Sequence, residues 1–255
     1  METTISQPGS ATVRRHHSDI VGCIIVAAGR SQRMDGHDKI FAPLAGKPLI
    51  AHSIDVFQES SAIREIVLAL NRDNLEQGHK LLKEFHWSKV TQLYIGGARR
   101  QDSVARGLSY LPDCQWVIVH DGSRPCITRE LITKGLVCAR ITGAAIAAVP
   151  VTDTIKIVDK KNNIRDTPDR SKLWAAQTPQ IFRRDMIVTA HEWAATNHYE
   201  ATDDASLVEK LGYQVKIYPG SHNNIKITTA RDLALAEIIL NKEKETNRPV
   251  PSPAL

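Results

Sequence analysis

The stretch Val21-Gly22-Cys23-Ile24-Ile25-Val26-Ala27-Ala28-Gly29-Arg30-Ser31-Gln32-Arg33-Met34 decides the fold. Its opening run is apolar or glycine throughout, and polarity arrives abruptly after Gly29. A short apolar run without alternation reads as a strand buried on both faces. The same pattern recurs at Ile66–Leu70, Thr91–Ile95, Trp116–His120 and Ala144–Val149. Between these runs, Leu49–Phe57, Leu75–Phe85, Asp102–Leu111 and Arg129–Ile141 read as helices. Alternating strands and helices predict an α/β fold, with a mostly parallel twisted sheet covered by helices on both faces.

The alternation breaks after Pro150. Residues Thr154–Val158, the polar turn Lys160–Asn163 and Ile164–Thr167 predict a hairpin, so 151–170 is expected to project as an arm. Helices follow at Arg184–Thr196 and Asp204–Leu211, then a strand at Gln214–Tyr218, a short strand at Ile225–Thr228 and a last helix at Ala230–Leu240. The expected organisation is one domain over 20–241, a disordered leader over 1–19 and a disordered tail over 242–255. Both ends are polar, and the tail combines charge with proline.

Composition narrows the function classes. A formal charge of +5 is too weak to argue for nucleic acid, which needs a basic face, interleaved with aromatics for single strands. Aromatic residues are only 5%. The same mild charge suits a phosphorylated small molecule. No apolar run is long enough to span a membrane, and the leader lacks a secretory apolar core. The four cysteines form no C-x-x-C pair and read as reduced, buried thiols, which fits a cytoplasmic protein. The histidines show no zinc spacing.

The end of the first strand is the place to look for a ligand. Small residues such as Ala27, Ala28 and Gly29 let backbone amides approach phosphates closely. Neither G-x-x-x-x-G-K-[ST] nor G-x-G-x-x-G is present, which excludes a P-loop and disfavours a dinucleotide site. Arg33 and Lys39 could reach a triphosphate; taken alone, two basic residues in a loop are more often solvated charge. In Gly96-Gly97-Ala98-Arg99-Arg100-Gln101-Asp102-Ser103, Ser103 and the amides could bind a base or ribose. The same residues also read as a turn with Asp102 as N-cap. In His120-Asp121-Gly122-Ser123-Arg124-Pro125, an acid stands at a strand's C-terminal end, where open α/β sheets bind ligands. There it could hold Mg²⁺ or sugar hydroxyls, or merely close a turn. Downstream, Asp203-Asp204 reads as a helix opening.

Seven pieces occur together and in order: AAGRSQRM with Lys39, GGARRQDSV, HDGSRP, VPVTDTIK, LWAAQTPQ, TDDAS and NIKITT. In this the chain resembles the 2-C-methyl-D-erythritol 4-phosphate cytidylyltransferases of the non-mevalonate isoprenoid pathway, from about Ile20 to Leu240. The resemblance implies a Rossmann-like nucleotidyltransferase fold, a homodimer joined by exchanged arms, and Mg²⁺ dependence. It implies that Arg33, Lys39 and Lys226 handle the phosphates, and that Ala27, Ala28, Gly29, Gly97 and Ser103 bind CTP. Asp121 falls between ribose, metal and acceptor. Arg124, Thr154, Arg170, Thr178 and Thr202 match contacts to the acceptor polyol phosphate, with Arg170 completing the site of the other subunit. The chain departs from the family pattern at Ser31, at Asp38 and Ile40 around Lys39, and at Ala98. Two alternatives stand beside this reading, a ribitol-5-phosphate cytidylyltransferase and an inactive nucleotide-binding protein of the same fold. Intact Arg33, Lys39, Asp121 and Lys226 argue against the second.

Overall fold

The computed structural model describes residues 19–29 and 38–246. In chain order the strands are β1 (Val21–Ala27), β2 (Pro43–Leu44), β3 (Lys47–Pro48), β4 (Glu65–Leu70), β5 (Val90–Ile95), β6 (Trp116–Asp121), β7 (Ala144–Pro150), β8 (Ile157–Val158), β9 (Ile164–Asp166), β10 (Trp174–Arg183) and β11 (Lys216–Pro219). The helices are α1 (Leu49–Glu59), α2 (Leu75–Phe85), α3 (Arg100–Ser109), α4 (Arg129–Thr142), α5 (Arg184–Thr196), α6 (Asp204–Lys210) and α7 (Ala230–Thr246).

Seven strands form the central sheet in the order β11-β7-β10-β6-β1-β4-β5. All neighbours are parallel except β10, which runs antiparallel to both β6 and β7. One apolar layer packs α1 and α4 through Ile54, Phe57, Ile132 and Leu136 against Ile25, Ile66 and Ile118 of the sheet. The opposite layer packs α3, α5 and α6 through Val104, Leu108, Ile187 and Leu207 against Ile24, Val67 and Val119. Successive residues of one strand thus face opposite layers, which explains why these strands are apolar throughout. Phe57 and Phe182 are fully buried, and each such burial contributes about 1.5–3 kcal/mol. A smaller cluster of Leu44, Leu49, Cys126, Ile227 and Ala236 fastens α7 to the body.

Several expectations need correction. The sequence pattern does not show the ten-residue strand β10. Its Gln177-Thr178-Pro179-Gln180 segment is polar and carries a proline, which argues against a central strand. The register against β7 shifts between Ala176 and Gln180, so this segment leaves that ladder and the proline is accommodated. Residues 225–228 are not a strand; Ile227 makes one backbone bond, to the Ser123 carbonyl at 2.8 Å. The last helix continues to Thr246, so the expected tail is helical at its start. Apart from Asp19, the expected leader lies outside the described residues, as does the tail beyond Thr246.

The arm is present. Strands β8 and β9 pair antiparallel, apart from the central sheet. Asp159 closes their turn by accepting from the backbone of Lys161 and Asn163, both at 2.9 Å. Ile155, Ile157, Val158, Ile164 and Trp174 are exposed along this segment and its root.

Candidate active site

The chain leaves β1 toward β4 and β5 on one side and returns to β6 on the other, so direction switches between β1 and β6. Ligands of open α/β sheets bind at the carboxyl ends of strands at such a point. A cleft of about 750 Å³ opens there, lined by Ala27, Ala28, Gly29, Lys39, Gly97 and Ser103 among others, with Asp121 and Lys226 on its wall. A second recess adjoins it and shares Arg100, Asp121 and Lys226 with it. Arg124, Thr178, Thr202 and Asp203 line this recess.

Local chemistry explains the cleft walls. The loops after β1 and β5 touch, and a side chain at Gly96 would collide with Ala28, so the two backbones approach as only glycine permits. Ser103 accepts from the Gly97 amide at 3.0 Å and donates to the Arg99 carbonyl at 3.2 Å. Its hydroxyl therefore shapes the loop as well as lining the cleft. Asp102 is not the N-cap of α3: that position belongs to Arg99, whose backbone N–H donates to the Asp102 carboxylate at 3.1 Å. Asp38 caps the turn that carries Lys39, accepting from the Ile40 amide at 3.3 Å and the Asn71 side chain at 2.8 Å, and also from Asn74. The departure at Asp38 thus has a structural use, which is to anchor Lys39 at the cleft. Burial and nearby Lys226 lower the Lys39 pKa, while Asp38 and Asp121 oppose the shift.

Asp121 is the centre of the site. It is 7% exposed. Arg100 donates to its Oδ1 at 3.1 Å, Lys226 Nζ lies 2.9 Å from its Oδ2, and Arg124 Nε stands 3.7 Å away. Burial pushes this carboxyl's pKa up, but the three cations outweigh it and hold the group well below the usual carboxylate range. The Asp121 backbone N–H donates to Thr178 Oγ1 at 3.0 Å. The hydroxyl lies 3.1 Å from His120 Nδ1, and His120 Nε2 lies 3.3 Å from the Arg124 carbonyl. This network assigns the Nε2–H tautomer, with Thr178 donating to Nδ1.

Burial lowers the His120 pKa to about 4, opposed by the charge of Asp121. The unfolded chain therefore takes up a proton near pH ~6.5 that the folded chain refuses until about pH 4. More protons are bound when unfolded across this window, so stability falls as pH drops through it. Between pH 7 and pH 5 the expected loss is about 2 kcal/mol, read as a shift in denaturation midpoint. His120→Gln should flatten that dependence; an unchanged slope in the variant would remove His120 as its source.

The remaining expected residues divide in two. Arg33 and Ser31 lie outside the described residues. Thr154 and Arg170 are exposed on the arm and line neither recess of their own chain. Arg170 Nη1 donates to the Thr152 carbonyl at 2.6 Å. Among residues given no role from the sequence, Arg100 stands out, since it bridges Asp121 and the buried Asp204, which its Nη1 reaches at 2.6 Å. Asp203 does open a helix, accepting from the Ser206 amide at 3.0 Å, whereas its neighbour Asp204 is 1% exposed and ion-paired. Gln177 and Gln180 also line the second recess.

A mostly parallel sheet with a nucleotide-sized cleft at its switch point and basic side chains around one carboxylate is the arrangement of a Rossmann-like nucleotidyltransferase. The model of the family "IspD: 2-C-methyl-D-erythritol 4-phosphate cytidylyltransferase" matches residues 21–242. The chain belongs to this family. It is 50% identical over 222 residues to a 2-C-methyl-D-erythritol 4-phosphate cytidylyltransferase of Dehalococcoides mccartyi strain CBDB1, covering 87% of this chain and 96% of that one. A relative of the same name from Caldanaerobacter subterraneus is 44% identical, over 87% of this chain and 99% of its own. Among solved structures, the 4-diphosphocytidyl-2C-methyl-D-erythritol synthase of Anaerococcus prevotii superposes with a TM-score of 0.78 at 29% identity, covering 88% of this chain and 99% of that one.

Proposed function

We propose that the cleft takes CTP and the adjoining recess takes 2-C-methyl-D-erythritol 4-phosphate, with CMP passing between them in isoprenoid precursor biosynthesis. The observation that carries this is that Arg100, Asp121 and Lys226 border both recesses, so two phosphorylated ligands would meet there. An oxygen of the acceptor phosphate forms the new bond to the α-phosphorus as the bridging bond to the β-phosphate breaks. The products are 4-diphosphocytidyl-2-C-methyl-D-erythritol and pyrophosphate. The nucleophile needs no strong base, because a phosphate monoester has its second pKa near ~6. The obstacle is bringing two anions together. Lys39, Lys226 and Arg33 neutralise the phosphates, and Arg124, Thr178 and Thr202 orient the acceptor.

Mg²⁺ fits this donor set in one mode only. Asp121 is the one carboxylate on the cleft wall among the described residues, and no group of three metal-binding side chains occurs there. Mg²⁺ is commonly held by one carboxylate with substrate phosphates and water, so Asp121, kept ionised by its cations, would serve as its protein anchor. Bound there, the ion would supply charge neutralisation to the triphosphate.

The enzyme works as a homodimer through the arm. Its exposed apolar residues on a two-stranded hairpin need a covering surface, and a second copy provides it. No nucleic acid or membrane takes part, and four buried cysteines without a disulfide accord with the reducing cytoplasm. An acceptor panel with CTP, read as pyrophosphate release, tests the assignment. Methylerythritol phosphate should turn over fastest; faster turnover of ribitol 5-phosphate would reassign the acceptor, and no release with any polyol phosphate would mean an inactive binder.

A further inference from the structure

Asp204 is the first residue of α6 and lies within the protein, yet it faces the active site through a single intermediary. Its Oδ2 accepts from Arg100 Nη1 at 2.6 Å, and its Oδ1 accepts from His191 Nε2 at 3.0 Å. His191 comes from α5 and is 6% exposed. Its other ring nitrogen, Nδ1, is buried and has no hydrogen-bond partner among the described residues. That arrangement assigns the proton to Nε2, so the imidazole serves Asp204 alone and leaves only a bare lone pair unmet.

From these contacts we infer that Asp204 and His191 are positioning residues that set Arg100, and through it Asp121, for the transfer reaction. The inference rests on the reading of Asp121 as part of the active site. A guanidinium is a rigid planar fork, so fixing Nη1 fixes the direction of Nε. Nε is the atom that holds Asp121 Oδ1 at 3.1 Å. With that oxygen occupied, Asp121 turns its Oδ2 to Lys226 at 2.9 Å. Two helices behind the sheet thereby define the orientation of the carboxylate between the recesses. Arg100 Nη2 makes no hydrogen bond among the described residues, so the fork keeps donors for a phosphate arriving in either recess, both of which Arg100 lines. Without the anchor, Arg100 would follow Asp121 instead of directing it.

The test uses the full chain with CTP and methylerythritol phosphate. His191→Phe keeps the ring and removes the donor, and should lower kcat about tenfold. Asp204→Asn should lower it up to about a hundredfold, the scale of a small misplacement at a reacting centre. Neither KM should change by more than about threefold, because the loss falls on the transition state. His191→Gln restores a donor and should recover most of the rate, which a packing role would not explain. In an Arg100→Lys background, His191→Phe should cost less than about twofold more, since the route it uses is already broken. Fully additive losses, or a lower Tm with unchanged kcat in His191→Phe, would overturn the inference even if Asp204→Asn fails to fold. Asp121→Asn separates the two ways of failing. An inactive Asp121→Asn beside a fully active His191→Phe overturns the positioning role alone. Normal turnover in Asp121→Asn overturns the site reading and the positioning role with it.

Discussion

Lys39→Ala is expected to lower kcat by about 10²–10³-fold while the acceptor KM stays close to wild type, and Arg33→Ala should behave alike. The charge that Lys39 meets grows as pyrophosphate departs, so the loss appears in the chemical step more than in binding. The anchoring of its turn by Asp38 holds the ammonium at the cleft before substrate arrives. Lys226 occupies the same wall, and burial, followed by repulsion from Lys226, lowers the Lys39 pKa. Asp121 pairs with Lys226 and offsets part of that repulsion, and a bound triphosphate would offset more of it. Steady-state kinetics with CTP saturating checks the split. A near-normal kcat in Lys39→Ala or Arg33→Ala would remove that residue from the mechanism.

Arg170→Ala should be comparably inactive on its own, yet regain function when refolded together with Lys39→Ala. Arg170 and Thr154 line neither recess of their own chain, so the acceptor contacts implied for them are expected to be made in the site of a second copy. If they are, a mixed dimer has one site with both defects and one with neither. Random pairing in a two-fold dimer then restores about a quarter of wild-type activity. If Arg170 served its own chain, every site would carry one defect and mixing would restore nothing. Zero recovery, with dimers confirmed and refolded wild type active, would rule out the shared site.

What the sequence made legible follows the reach of each interaction. Strands β1, β4, β5, β6 and β7 are readable because burial on both faces demands unbroken apolar runs. The cleft follows from them, since loops at strand ends fall where the topology dictates. Strand β10 is hidden because Gln177, Thr178 and Gln180 line a recess instead of a core, and polarity there erases the strand pattern. Arg100 sits in a quoted motif, but its meaning depends on Asp204, 104 residues further along the chain. No local period carries a pairing of that separation. The same holds for Asp204 itself, whose position beside a true helix cap disguises a buried ion pair. Lys226 was readable only through family resemblance, because residues 225–228 form no regular element that would orient it.

Strand β10 also joins two places that otherwise have little in common. It begins with exposed Trp174 at the root of the arm and within a few residues supplies Gln177, Thr178 and Gln180 to the wall of the second recess. Only three residues of backbone, between Ala176 and Gln180, separate the arm-side ladder from the recess-side ladder, so an assembly through the arm and an acceptor in the recess would press on one strand. Thermodynamic linkage makes any such coupling reciprocal: a factor that assembly adds to acceptor affinity is returned by the acceptor to assembly. If assembly through the arm tightens the acceptor site, acceptor would in turn favour the assembled form.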